Sequence, residues 1–224
     1  MAAAPSSSSS SPSSAVSAST NTTPPPSSLV VPDASPSPFS AIEFLSICHL
    51  LKTTKRAGWV RRDVKNPESI ADHMYQMSLM ALIAPDVPGL DRNKCIKMAI
   101  VHDIAEALIG GITPPDGISK AYASRLEAEA LEYMCEILGV GEGSRGKEIT
   151  ELWMDYEANS SPEAKFVKDL DKVEMILQAL DYEDGQGKDL DDIFRSTAGK
   201  FQTEIGKAWA SEIVSRRNHS SREE

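Results

Sequence analysis

The sequence predicts an all-α helical bundle behind a disordered, Ser/Pro-rich N-terminal tail. Three observations lead there. From Phe39 onward, apolar residues recur at the spacing of a buried helix face. The segments that carry this period open on Ser or Asp and close on Pro or Gly, as capped helices do. No stretch gives a convincing strand, and no internal repeat is visible.

Residues 1–38 are mostly Ser, Pro, Ala and Thr, contain no Lys or Arg, and reach their first acid only at Asp33. Such a segment buries too little apolar surface to offset its ordering entropy. A Ser-rich, acid-poor start resembles a plastid transit peptide, although the missing Arg departs from that pattern. Cytoplasmic and plastid locations both stay open. Residues 39–216 are expected to form the domain, and residues 217–224 a polar tail. A formal charge of -10 argues against a nucleic-acid polymer as partner, since such a partner selects a basic stripe. The three cysteines are widely spaced and form no Cys-x-x-Cys pair, which argues against a disulfide framework. No apolar run approaches the ~18 residues of a membrane span, so no membrane partner is expected.

Taken in order, Phe39, Ile42, Leu45 and Cys48 place a first helix over 39–54. The run from Lys55 to Lys65 is a basic loop in an acidic protein. It reads either as solvated surface or as a phosphate-binding rim, with Trp59 as a stacking or wall residue. Ser69 is a suitable N-cap for a helix over 70–81, where His73, Met77 and Met80 share one face. Asp91 caps the next helix, predicted to run through 92–108. The turn-rich segment 110–117 follows it as a lid or pocket edge. A helix over 119–138, a flexible break at 139–146 and a short helix over 148–157 come next. Ser161-Pro162 opens a helix over 162–180 with Phe166, Leu170, Val173 and Leu177 as its stripe. Asp171 lies at the edge of that stripe. Two further helices, over 190–195 and 203–216, close the chain.

The chemistry concentrates at His102-Asp103 and Glu106, set in an otherwise apolar run. Desolvating an imidazole or a carboxylate is costly unless each finds a partner, and a divalent ion is such a partner. His73, His102, Asp103 and Asp171 form a candidate ligand set of two nitrogens and two carboxylates, with Asp169 competing for the last place. Such a set suits Mn²⁺, Co²⁺, Fe²⁺ or Zn²⁺ and, less comfortably, Mg²⁺. An ion there lowers the pKa of its water toward ~7 and polarises a phosphoryl oxygen. Glu106, one turn past the pair, is placed to move a proton.

The order His73, His102-Asp103, Asp171 resembles the HD-domain metal-dependent phosphohydrolase superfamily. The flanks Asn66-Pro67-Glu68-Ser69-Ile70-Ala71-Asp72-His73-Met74 and Val101-His102-Asp103-Ile104-Ala105-Glu106-Ala107 resemble its 5′-deoxynucleotidase branch, over roughly 39–216. The resemblance implies an HD-domain helical bundle, usually homodimeric, that hydrolyses deoxynucleoside 5′-monophosphates. It implies metal binding (Mn²⁺, Co²⁺ or Mg²⁺) by His73, His102, Asp103 and Asp171, catalysis by Glu106, and Trp59 at the sugar side of the pocket. The Asp171-Lys172 pair matches the family pattern, which favours Asp171 over Asp169. Two positions depart from it. Bacterial members carry a phosphate-binding Arg before the Trp, where this chain has Gly58; Arg56, Arg61 and Arg62 are the candidate substitutes. An Asp usually follows the loop Gly, where this chain reads Gly110-Gly111, with Asp116 the nearest acid. These departures keep two alternatives open: a phosphohydrolase of another nucleotide or phosphomonoester, and a catalytically weak nucleotide-binding protein.

Overall fold

The computed structural model describes residues 35–111 and 117–223. The expected tail therefore lies almost wholly outside the described residues, as do residues 112–116 of the turn-rich loop, Asp116 included. Helix α1 (Pro38–Cys48) runs into a 3₁₀ turn (His49–Lys52), and α2 (Ala57–Val60) is a single turn. Then follow α3 (Ile70–Ile83), α4 (Arg92–Val101), α5 (Glu106–Ile109) and α6 (Lys120–Leu138). The last four are α7 (Arg145–Ala158), α8 (Pro162–Gln186), α9 (Asp191–Thr197) and α10 (Glu204–Glu223). Among the described residues there is no strand, only an isolated antiparallel bridge between Lys55 and Ser69. None of the described helices is long and apolar enough to cross a membrane.

Side-chain caps fix most helix starts. Ser37, Ser69, Asp91, Ser119, Ser144 and Ser161 each accept the backbone N–H three residues on. At α3 the cap is reciprocal, because Asp72 also accepts from the Ser69 backbone. Each such cap contributes about 1 kcal/mol. Helix α8 is the centre of the bundle and packs against α3, α4, α7, α9 and α10. Its Phe166, Val167, Leu170, Val173 and Ile176 join one core cluster with Ile70, Met77, Cys95 and Met98. Met77, Met98 and Met134 are fully buried, where an unbranched side chain fills the irregular gaps between crossing helices.

The structure departs from the sequence reading in four places. First, the helix expected over 92–108 breaks. Helix α4 stops at Val101, residues 102–105 form a tight turn, and α5 restarts at Glu106. The turn closes three-residue rings: Ile104 N–H bonds Val101 O, Glu106 N–H bonds Asp103 O, and Ala107 N–H bonds Ile104 O, at 3.0–3.2 Å. Second, the stripe that predicts α1 faces outward. Phe39, Ile42 and Leu45 are 74%, 64% and 58% exposed, and Phe44 is the buried residue. Third, α7 starts at Arg145 and α8 continues to Gln186, where Gly187 in a left-handed conformation ends it. Fourth, the expected polar tail at 217–224 is largely a continuation of α10. Arg217 holds it by bonding Glu183 at 2.6 and 2.8 Å and Asp191 at 2.9 Å, with its guanidinium over the Phe194 ring.

Candidate metal centre

The backbone bridge at Lys55–Ser69 lays the start of α2 beside the start of α3. Arg56 N–H bonds Glu68 O, and Ile70 N–H bonds Thr54 O. One turn into α3, His73 is fully buried. The 102–105 turn supplies His102 and Asp103, and α8 supplies Asp171. Two adjacent residues on a regular α-helix point about 100° apart; the tight turn lets His102 and Asp103 face one place.

The four side chains converge. His73 Nε2 lies 3.5 Å from Asp171 Oδ1 and 3.8 Å from Asp103 Oδ2. His102 Nε2 lies 3.3 Å from Asp103 Oδ2. The other ring nitrogens are engaged: His73 Nδ1 is 2.6 Å from Glu174 Oε2, and His102 Nδ1 is 3.0 Å from Ala99 O. In its neutral form, with Nδ1–H directed at that acceptor, each ring turns its Nε2 lone pair to the cluster. Both Nε2 atoms are buried and have no hydrogen-bond partner. Orphaned buried acceptors are uncommon, and two aimed at the same place fit a divalent ion. Ligand atoms of His73, His102 and Asp103 fall within 4.8 Å of one another. Mixed nitrogen and carboxylate donors suit Mn²⁺, Co²⁺, Fe²⁺ or Zn²⁺, as well as Mg²⁺.

Charge points the same way. Asp103, Asp171, Glu106 and Glu174 all act on one guanidinium, that of Arg56. Burial alone would lower the Arg56 pKa, but Asp103 and Asp171 more than offset it and hold the group charged. Asp103 sits well below the usual carboxylate range despite burial, because His102 and Arg56 favour its anion. Asp171 is lowered against the same burial by His73 and Arg56. Burial, reinforced by Arg56, pushes His73 down to about 3, so its imidazole is neutral and fit to donate a lone pair. Glu106 moves the other way: burial, then the Asp103 charge, raises it to about 8. It therefore holds a proton near neutrality in the metal-free protein.

Arg56 is the basic-loop residue that reaches the centre, with Nη1 3.0 Å from Asp103 Oδ2 and Nη2 3.7 Å from Asp171 Oδ1. Arg62 bonds Gly58 O and Asp192 instead, and Arg61 is exposed. Trp59 is 3% exposed; its Nε1–H donates to Glu68 Oε1 at 2.7 Å and its ring meets Tyr182 edge-on. Glu106 Oε2 stands 3.2 Å from where a Cβ on Gly111 would lie, so Gly111 packs directly against that carboxyl. Asp169 turns away. It accepts from Gln202 N, Thr203 N and Thr203 Oγ1, at the start of α10, and is fully buried there. Beside the centre, a cleft of about 160 Å³ is bounded by His102, Asp103, Glu106, Trp153, Tyr156 and Lys168.

Three residues escape the sequence reading. Glu174 backs His73, Tyr156 donates its hydroxyl to Asp171 Oδ2 at 3.1 Å, and Glu68 holds Trp59. The signal for Glu174 is an acid three residues after Asp171, which is the same face of a helix, set between Val173 and Met175.

Known proteins share this arrangement of sequence and fold. The HD domain family matches residues 48–213. The chain is 48% identical over 164 residues to the human protein named 5′-deoxynucleotidase HDDC2, covering 72% of this chain and 78% of that one. It is 45% identical over 189 residues to the Mus musculus protein of the same name, covering 84% and 93%. Among solved structures it is similar to the PH0347 protein from Pyrococcus horikoshii OT3, with a TM-score of 0.64, 32% identity, and coverage of 80% of this chain and 98% of that one.

Proposed function

This chain belongs to the HD-domain family, and we propose that it is a metal-dependent 5′-deoxynucleotidase, converting deoxynucleoside 5′-monophosphates to deoxynucleosides and phosphate. The observation that carries the reading is the pair of orphaned imidazole nitrogens facing two carboxylates, with Glu106 and Arg56 alongside. His73, His102, Asp103 and Asp171 would hold the ion, with Mn²⁺, Co²⁺ and Mg²⁺ the favoured candidates. When bound, it supplies positive charge and Lewis acidity to the phosphoryl group.

The chain's own residues do the rest. Arg56 presents guanidinium N–H groups to phosphate oxygens, which is the role left open by Gly58. Its two carboxylate contacts fix the direction of that fork. As water oxygen bonds to phosphorus and the ester bond to the 5′ oxygen breaks, a carboxyl oxygen of Glu106 moves a proton, from the water or to the departing oxygen. Tyr156 holds Asp171 in orientation through its hydroxyl. Trp59, which the family resemblance puts at the sugar side of the pocket, packs edge-on against Tyr182. Assembly as a homodimer is part of the same reading, supported by the outward apolar stripe of α1.

The deciding experiment is phosphate release from dAMP, AMP and 3′-dAMP by chelator-stripped protein, with Mn²⁺, Co²⁺ or Mg²⁺ restored. Turnover of dAMP that returns with metal, and is abolished by His102→Ala or Asp103→Ala, is the expected result. Undiminished release in either variant overturns the reading.

A further inference from the structure

Glu174 is buried to 1% exposure and takes no direct part in the chemistry above. It approaches His73 from the side opposite the ligand cluster, at 2.6 Å from Nδ1. A neutral imidazole has one N–H, and the nitrogen that carries it is set by the acceptor it meets. An acceptor at Nδ1 leaves the lone pair on Nε2, which is the atom turned toward Asp103 and Asp171. His102 is fixed in the same way, but by the backbone carbonyl of Ala99. Of the two acceptors, only Glu174 is a side chain.

Glu174 is itself held. A side-chain hydrogen bond links it to Glu68, and oxygens of the two carboxyls and the His73 nitrogen lie within 4.8 Å of one another. Glu68 in turn accepts the Trp59 indole N–H at 2.7 Å, and its own backbone N–H donates to the Tyr182 hydroxyl at 2.9 Å. A continuous set of contacts therefore runs from Trp59 through Glu68 and Glu174 to His73.

We propose that Glu174 is the positioning residue of the centre: it selects the Nδ1–H tautomer of His73 and so presents Nε2 to the ion, while Glu68 and Trp59 hold Glu174 in place. Carboxylates behind metal-binding imidazoles typically set ligand orientation and basicity, and their removal weakens metal binding by about 10–100-fold. A change at Trp59 reaches metal affinity, although its indole bonds Glu68 and not a ligand.

The inference rests on the reading of His73 as a ligand, so the test separates the two. Mn²⁺ is titrated calorimetrically into chelator-stripped full-length protein, wild type and Glu174→Leu. The ring nitrogens of the four histidines are read in the metal-free protein by long-range ¹⁵N NMR, with His73→Gln assigning the signal. Expected are an Nδ1–H tautomer for His73 in the wild type, a mixture in Glu174→Leu, and a Kd for Mn²⁺ raised about 10–100-fold. Glu174→Gln, whose amide oxygen still accepts, recovers most of the affinity. Trp59→Phe gives a smaller loss in the same direction and serves as the second variant if Glu174→Leu does not fold. Wild-type Kd and tautomer in folded Glu174→Leu, or in Trp59→Phe if the former is unfolded, overturn the inference alone. Wild-type protein that binds no Mn²⁺ overturns both it and the ligand reading.

Discussion

At Glu106, position and protonation both point to proton transfer. Its carboxyl faces the cleft beside His102 and Asp103, and burial with the Asp103 charge keeps it protonated near neutrality in the metal-free protein. Glu106→Gln preserves shape and removes the proton transfer. Its kcat is expected to fall by roughly 10²–10⁴-fold with Mn²⁺ affinity unchanged, as steady-state kinetics and calorimetry would show; a parallel loss of affinity would make Glu106 a ligand instead. The sequence already exposes Glu106, His102 and Asp103, because ionisable groups in an apolar run need a partner. It does not distinguish Arg56 from Arg61 or Arg62, which share one basic run. The distinction comes from the Lys55–Ser69 bridge, a contact across fourteen residues that no local pattern encodes. Glu174 is hidden for the same reason, since its partner His73 is 101 positions away.

Helix starts are the most legible elements, since Ser69, Asp91 and Ser161 cap locally where the sequence places them. The break after Val101 is not legible. The apolar pattern runs through it, while the turn is made of backbone bonds from Ile104, Glu106 and Ala107 that side-chain pattern does not announce. Asp169 shows how close the two readings can be: two residues from Asp171 on the same helix, it is drawn to the N–H groups of Gln202 and Thr203. That junction is tight. A Cβ on Gly206 would lie 2.6 Å from Asp169 Oδ2, so α10 can approach α8 only through a glycine. Gly206→Ala is expected to destabilise by about 1–3 kcal/mol, seen as a lower midpoint in urea unfolding, and to leave Mn²⁺ affinity intact because Asp169 is not in the ligand cluster. An unchanged midpoint would mean that the junction relaxes without cost.

For the molecule as a whole, charge and apolar surface pull in opposite directions. Each chain carries a formal charge of -10, yet α1 presents Phe39, Ile42 and Leu45 outward. Two copies joined through that stripe would repel at long range and attract at contact, so their association should tighten as salt rises. Sedimentation equilibrium is expected to give twice the chain mass, with Phe39→Glu combined with Leu45→Glu giving the single-chain mass. A wild-type monomer at every salt concentration would remove the homodimer. The 102–105 turn has a consequence for the length of the chain itself. Its rings space His102, Asp103 and Glu106 by hydrogen bonds rather than by a continuous helix. One residue inserted or deleted between His102 and Glu106 would turn Glu106 away from the cleft that it lines with His102 and Asp103. The number of residues in that turn is thereby part of the site itself.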